Sequence, residues 1–463
     1  MTMELDQPTI QEQFLEAVQS ENVLRIKEFL NDQNISDVAE LIGEFPDYES
    51  QIVANMSVHR AAKVFKILDF ATQKNIIQEL PPLTSAELLN ELPADDRTAF
   101  LEELPSEVVK ELIKTLDPEE RKITLSLLGY PEGSVGRLMT PDYISVQIDW
   151  TVQEVLTHIR TEGRDSETID VIYVVDDKGR FIDDMRIREI ILASPEKKVG
   201  DIIDYRFISL NVHDEQETAN QIFKMNNRVA LPVTDNNNLL LGIVTIDDVL
   251  WVANEEFSED MQKFGGTEAL NEPYLEIPLF KLFQKRIVWL VVLFLGEMLT
   301  ATAMGFFENE ISKLVVLALF IPLIISSGGN SGSQASTLII QAMAVGEITL
   351  ADWWRVMRRE ILSGIMLGAV LGIIGFVRII IWAKFFPDVY GPYSSNIALA
   401  VGCSLVGVVL WGTLCGSMLP LLLKRLGADP AVSSAPFVAT LVDVTGLVIY
   451  FSFAYAFLTS VLG

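Results

Sequence analysis

The spacing of hydrophobic positions changes three times along the chain. Over residues 1–130 it is helical, and a longer repeat runs through it. Leu68, Leu80, Leu92, Leu104, Leu116 and Leu128 recur every 12 residues, and Pro81, Pro93 and Pro105 each follow one of those leucines. Proline suits the first turn of a helix and ends the helix before it, so each unit reads as one short helix and a sharp corner. Such units bury their apolar faces only by stacking, which predicts an all-α superhelical domain over 1–130. Acidic pairs dot the corners: Asp95 and Asp96, Glu102 and Glu103, Glu119 and Glu120. Placement at helix N-termini, where the dipole favours acid, accounts for such pairs without any ligand.

From Leu138-Met139-Thr140-Pro141 the pattern alternates between helix and strand. A helical stretch, Val152–Arg160, precedes the β-branched run Val171–Asp176 and the turn Asp177-Lys178-Gly179-Arg180. The order returns as helical Glu215–Met225, strand Ala230–Thr234, turn Asp235–Asn238, strand Leu239–Val244 and a helix from Asp247. β-Branched runs bounded by such turns are hairpin signals. The two copies of about 60 residues resemble a tandem pair of cystathionine-β-synthase (CBS) domains. The resemblance covers roughly 136–254 and is clearer in the second copy, ALPVTDNNNLLLGIVTIDDV. In the first, Arg180-Phe181-Ile182-Asp183-Asp184 lacks the usual glycine.

Trp251–Gly266 reads as a charged helical connector. Glu255, Glu256, Glu259 and Asp260 share a face, where like charges repel, so the stretch needs solvent or cations. Five apolar spans follow: Ile287–Phe307, the uncharged stretch between Lys313 and Glu347, Ile361–Trp382, Ile397–Leu423, and one containing Pro436–Tyr450. Each is of the order needed to cross a bilayer. Lys281, Lys285 and Arg286, then Arg355, Arg358 and Arg359, then Lys424 and Arg425 flank them on one side. Basic flanks mark the cytoplasmic face, which places the N-terminal region inside a plasma membrane and the C-terminus outside. Lys313 and Lys384 fall on the opposite side, and Arg378 is expected to snorkel there.

Between Pro430 and Gly463 the only charged side chain is Asp443. A bare carboxylate at that depth costs several kcal/mol, on the order of 3 on insertion scales, so it should face water, a cation or a partner. A protonated Asp bonded to a neighbouring helix is the competing explanation. Ala439, Thr440, Thr445 and Gly446 flank it and admit a close neighbour or a hydrated ion. In the second span, Gly328-Gly329-Asn330-Ser331-Gly332-Ser333-Gln334 has poor helix propensity. It predicts a broken helix, tolerated at membrane depth where it lines a cavity. Carbonyls and the amides of Asn330 and Gln334 would then offer hard oxygen donors, which suit Mg²⁺ or Ca²⁺. No histidine occurs after His213. Glu297 is a second intramembrane acid with two open readings, the ion path or a bond to a neighbouring helix.

Charge sharpens the division. From Asn271 onward acidic and basic side chains balance at 11 each, so the totals of 63 and 35 leave 52 and 24 for residues 1–270. An acidic soluble region argues against nucleic acid as partner. The two cysteines, Cys403 and Cys415, lie in one apolar segment about 18 Å apart along a helix, too far to pair within it. The first residues, Met1 to Gln13, lack the apolar core of a signal peptide.

With the helical coil, CBS pair, acidic connector, GGNSGSQ and VATLVDVTGL in place, the chain resembles the MgtE family of magnesium channels, related to the solute carrier 41 transporters. The resemblance implies a multi-domain membrane protein: superhelical domain 1–130, tandem CBS pair 131–250, plug helix 251–272 and five-helix pore domain 273–463. It implies a homodimer in the lipid bilayer, with Mg²⁺ as both transported ion and regulator. Asp443 would hold the ion, with Ala439 and Gly446 near the passage and Asn330 and Gly332 carried over from the glycine-rich motif. Cations bridging acidic faces bias a two-state arrangement. The sensing candidates are Asp95, Asp96, Glu215, Glu217, Asp247, Asp248, Glu256, Glu259 and Asp260. Trp251 and Asn254 stand where related plugs carry acids, which weakens or rearranges that control. Thr245 and Asp248 keep the T-x-x-D spacing that CBS domains use on nucleotides, making ATP a candidate ligand, while Asn227-Arg228-Val229-Ala230 departs from the pattern and argues against it. The alternatives are an ion-coupled carrier for Mg²⁺ or another divalent ion such as Mn²⁺ or Co²⁺, an intramembrane acid hydrolase using Asp443 and Glu297, and a sensor without transport. The first of these outweighs the other two, because no paired carboxylate motif supports hydrolysis and a sensor leaves Asp443 unexplained.

Overall fold

A computed structural model describes residues 9–20, 22–164, 166–270, 274–275 and 277–459. The chain divides into two compact units, residues 1–255 and 256–463. The first opens with ten helices: α1 (Ile10–Gln19), α2 (Val23–Asp32), α3 (Ile35–Glu44), α4 (Glu49–Ala54), α5 (Val58–Phe65), α6 (Phe70–Glu79), α7 (Pro82–Glu91), α8 (Ala94–Glu102), α9 (Ser106–Thr115) and α10 (Pro118–Leu127). The starts of α7 to α10 fall at the 12-residue interval. Pro81, Pro93 and Pro105 are the N-caps of α7, α8 and α9, with φ from −48° to −56°, and Asp117 is that of α10. Leu80, Leu92, Leu104 and Leu116 close the preceding turns and are buried in one apolar core, each contributing about 1.5–3 kcal/mol of burial.

A second periodic position holds the corners. Arg97 gives its guanidinium to the carbonyls of Leu89 (3.2 Å) and Leu92 (3.1 Å), eight and five residues back. Arg121 does the same to Ile113 and Leu116 (both 2.9 Å). Ser85 reaches Ile77 and Leu80 (both 3.4 Å), and Gln73 reaches Phe65 at 2.8 Å. A helix end leaves carbonyls without partners, and this position satisfies them for the preceding helix. Arg97 is wholly buried and also bonds Thr124 (2.9 Å) and Glu120, tying α8 to α10. Of the acidic pairs, Asp95–Asp96 and Glu119–Glu120 lie in first turns, as the dipole argument predicts. Glu102 and Glu103 end α8 instead, where Glu102 pairs with Arg137 at 2.8 Å.

The two αβ copies follow: α11 (Val135–Leu138), β1 (Ser145–Gln147), α12 (Val152–Glu162), β2 (Val171–Val175), β3 (Phe181–Arg186) and α13 (Ile187–Leu192), then β4 (Leu210–Asn211), α14 (Gln216–Asn226), β5 (Ala230–Thr234), β6 (Leu240–Thr245) and α15 (Ile246–Phe264). They form two three-stranded sheets, β1-β2-β3 and β4-β5-β6, each with one parallel and one antiparallel pair. β2 and β5 are buried at every residue, as their continuous apolar runs predict. In each hairpin an aspartate accepts two turn amides at 2.8 Å: Asp176 from Lys178 and Arg180, Asp235 from Asn237 and Leu239. Gly179 and Asn238 supply the left-handed residue, φ +77° and +63°. The glycine missing from the first copy corresponds to Gly242 in the second, which has the Thr140 carbonyl 2.7 Å from where a Cβ would stand. Asp183 replaces it, buried and accepting from the amides of Asp184, Asp204 and Tyr205. The two hairpins join across Phe181 N to Asn238 O (2.9 Å) and Leu240 N to Gly179 O (3.1 Å). The charged stretch from Trp251 is not an element of its own, because α15 runs through it without a break.

The second unit holds α16 (Leu279–Phe306), α17 (Glu308–Lys313), α18 (Ile321–Ala344), α19 (Trp353–Phe385), α20 (Pro387–Tyr390), α21 (Ser394–Arg425) and α22 (Ala435–Phe457). Among the described residues five segments are long and apolar enough to cross a membrane, and each overlaps one of the five expected spans. One expectation fails. Gly328–Gln334 is not a break; α18 passes through it as continuous helix, with Pro322 in its first turn. Low propensity in water does not decide the matter inside a bilayer, where leaving backbone groups unbonded costs more than glycine entropy. The small residues serve packing. A Cβ on Gly412 of α21 would lie 2.3 Å from the Gly328 carbonyl, and one on Gly416 would lie 2.0 Å from that of Gly332. Two glycines one turn apart on each helix bring the backbones together. Arg378 lies over the Trp382 ring, 5.8 Å from its centroid.

Candidate cation sites

Asp443 lies midway along α22, half-buried. Its carboxyl has that of Glu297 on α16 as its charged neighbour. On the α18 side, a Cβ on Gly329 would lie 3.9 Å from Asp443 Oδ1 and 3.5 Å from the Ala439 Cβ. Asp443, Ala439, Gly329 and Glu297 therefore border one another. Gly329 and Glu297 were not among the expected pore residues; Glu297 was visible only as an unplaced acid. The other expected members lie elsewhere. Gly332 packs on Val438 and Gly412, and Gly446 packs on Val408 of α21. Asn330 is exposed, its amide 3.5 Å from the Ser326 hydroxyl. Ser333 and Ser336 of α18 instead hold the start of α22 through the carbonyls of Ala435 (3.2 Å) and Ser433 (3.0 Å).

In the first unit four of the expected sensing acids converge. Asp95 and Asp96 from α8 and Asp247 and Asp248 from α15 line a cavity of about 240 Å³ together with Lys66. Lys66 Nζ is 3.4 Å from Asp96, 3.8 Å from Asp247 and 4.0 Å from Glu167. Burial works against that ammonium, yet Asp96, Glu167, Asp247 and Asp95 hold its pKa above the ordinary lysine value. Burial, then the nearby carboxylates of Asp248, Asp96 and Glu167, push Asp95 well above the usual carboxylate range, and its buried Oδ1 has no hydrogen-bond partner. Burial also pushes Asp248 up to about 7. Thr245 spends its hydroxyl on Asp247 and Asp248, so the T-x-x-D pair is engaged within the protein. Glu215 and Glu217 sit at the start of α14, outside this group.

In the second unit Lys263, near the end of α15, bonds Glu259 at 2.6 Å and Asp429 at 2.8 Å. Burial, then Asp429, push Asp260 up to about 6, with Glu256 and Glu259 adding to the shift. Lys66, Glu167, Lys263 and Asp429 are the members that sequence reasoning missed. Among the described residues no three His, Cys, Asp or Glu side chains stand close enough to hold a metal by themselves. The groups at α8 and at the end of α15 are instead each built around a lysine, Lys66 and Lys263.

Fold and sites together define a membrane protein whose spans carry two neighbouring carboxyls and whose soluble part gathers acid around lysine ammonium groups. Family models match in three places: the MgtE intracellular N domain over 33–133, the CBS domain over 135–195 and 199–255, and the MgtE divalent cation transporter over 321–453. The magnesium transporter MgtE of Thermus thermophilus is 39% identical over 346 residues, 75% of each chain. That of Enterococcus faecalis is 32% identical over 340 residues, 73% of this chain and 72% of its own. The crystal structure of the cytosolic domain of the Mg²⁺ channel MgtE in complex with ATP is 32% identical, with a TM-score of 0.50, covering 52% of this chain and 99% of its own. The soluble part of a magnesium transporter is 26% identical, with a TM-score of 0.51, covering 54% of this chain and 99% of its own. The chain belongs to the MgtE family of magnesium transporters.

Proposed function

We propose that this chain carries Mg²⁺ across the plasma membrane through a passage at Asp443, under the control of its acidic soluble domains. The observation that carries the reading is a carboxyl at membrane depth, bordered by Gly329 and Ala439, in a chain of this family. A hard cation that keeps several waters suits such a seat. Glu297 is exposed on the single chain, and a carboxyl does not face lipid. A second copy covering it supports a homodimer with the passage at the subunit contact. The basic flanks at the starts of α16 and α19 and the end of α21 support an N-terminal region in the cytoplasm and a C-terminus outside.

Control follows from the acidic groups. Five carboxyls gather at Lys66, and Glu256, Glu259, Asp260 and Asp429 gather at Lys263. Added divalent cation draws such groups together, and its loss lets them part. The working division is a superhelical domain over 1–130, the CBS pair over 131–250, the plug segment 251–272 and the pore domain 273–463. ATP is the ligand of the similar cytosolic domain. In this chain Thr245 would have to release Asp247 and Asp248 to serve it, so nucleotide is a second ligand and not the first. The test is Mg²⁺ influx into proteoliposomes against protein-free vesicles, with and without pH and sodium gradients. Saturable influx independent of both gradients is the expected result; gradient dependence identifies a coupled carrier, and influx no greater than in protein-free vesicles contradicts the proposal.

A further inference from the structure

Two carboxyls, not one, meet inside the membrane. Helices α16 and α22 run in a fixed parallel register. A Cβ on Gly296 would lie 2.7 Å from Thr440 Cγ2, and eleven residues further along each helix Phe307 stacks on Phe451 with ring centroids 4.5 Å apart. The α16 stripe Gly296, Thr300, Ala303, Phe307 therefore faces α22 with the 4-3-4 spacing of a packed seam. Glu297 flanks that stripe, and its carboxyl meets that of Asp443 across the seam.

A second observation lies one turn away. Thr300 is more than nine-tenths buried and its hydroxyl has no hydrogen-bond partner. Other threonines on these helices do not behave this way. Thr302, Thr440 and Thr445 each give their hydroxyl to the carbonyl four residues back, at 3.0, 3.0 and 2.7 Å. A buried, unspent hydroxyl beside a carboxyl pair is a place for a ligand's water shell. The other helices packed on α22 offer no rival charge. α18 carries no charged side chain, and α21 carries only Lys424 and Arg425, at its end.

We infer that Glu297 is a second ligand of the transported cation, so that the intramembrane seat is a two-carboxylate site made by α16 and α22. This rests on Asp443 being the pore residue. Two facing carboxylates in a weakly screening environment repel unless a cation joins them. One divalent ion neutralises both, whereas a monovalent ion leaves one uncompensated, so the pair selects by charge. One or two carboxylates with retained waters is the coordination Mg²⁺ ordinarily takes in proteins.

The experiment is initial-rate Mg²⁺ influx into proteoliposomes as a function of Mg²⁺ concentration, for the native chain, Glu297→Gln, Glu297→Asp and Asp443→Asn. Glu297→Gln should raise the half-saturating Mg²⁺ by about tenfold, because one ligand charge is gone. Glu297→Asp keeps the charge on a shorter arm and should stay nearer the native value, separating charge from packing. Native half-saturation in Glu297→Gln, or an equal shift in both Glu297 variants, overturns the inference while loss of flux in Asp443→Asn leaves the pore reading standing. Flux retained in Asp443→Asn removes the pore reading and this inference together.

Discussion

Lys66 shows how much a single side chain can decide. Its ammonium is shared by Asp96, Asp247 and Glu167, with Asp95 and Asp248 behind them, so five carboxyls lean on one positive charge. Replacing it by methionine should destabilise the metal-free soluble part by about 2 kcal/mol, discounted for partial exposure from the losses typical of fully buried pairs. The same variant should gain more from added Mg²⁺ than the native chain does, because the divalent ion becomes the sole counter-charge. Thermal unfolding with and without Mg²⁺ reads both effects, and an unchanged Mg²⁺ response would remove Lys66 from the account. The pH dependence has a definite sign. Asp248 sits at about 7 in the folded chain against an ordinary value of 3.8, so the folded state holds a proton that the unfolded state has lost. Stability should therefore fall as pH rises from about 4 through about 7 and level off above. Saturating Mg²⁺ should flatten that fall in a melting series; a metal-free series that rises over the same window would contradict the assignment. In the sequence only Asp95, Asp96, Asp247 and Asp248 of this group were visible. Lys66 and Glu167 come from segments far from Asp95 and Asp247, and no spacing rule links them.

At the scale of elements, patterns that punctuate the chain were legible and patterns that depend on a neighbour were not. Prolines marked the corners of α7, α8 and α9 because their effect is local. The capping position shared by Gln73, Ser85, Arg97 and Arg121 escaped, since three residue types perform one task there. The hairpins of both αβ copies could be read from Asp, Gly and Asn at the turns, including the copy in which Asp183 replaces a glycine. Gly328–Gln334 was misread because helix propensities measured in water were applied inside a bilayer. Its glycines answer to α21, which begins some sixty residues later. Substituting Gly412 by leucine should force α21 off α18, costing about 1–3 kcal/mol or more by overpacking. A lowered melting temperature in detergent checks this, and an unchanged one would mean that the helices do not rely on the close approach. Glu297 could not be placed from sequence for a related reason, since its partner is fixed by the register between α16 and α22.

Over the whole molecule, charge and hydropathy divide the labour. All the net negative charge lies in residues 1–270, while acidic and basic side chains balance from Asn271 onward. Family membership, five spans and an intramembrane carboxyl converge on Mg²⁺ transport, with the lysine-centred acidic groups as its proposed means of control. The most direct measurement is Mg²⁺ influx into proteoliposomes for the native chain and Asp443→Ala, at low and high Mg²⁺ on the face carrying the soluble domains. The account predicts native influx that falls as that Mg²⁺ rises, and influx lost in Asp443→Ala at both levels. Equal influx in the two proteins would contradict it, because the residue at its centre would then be structural.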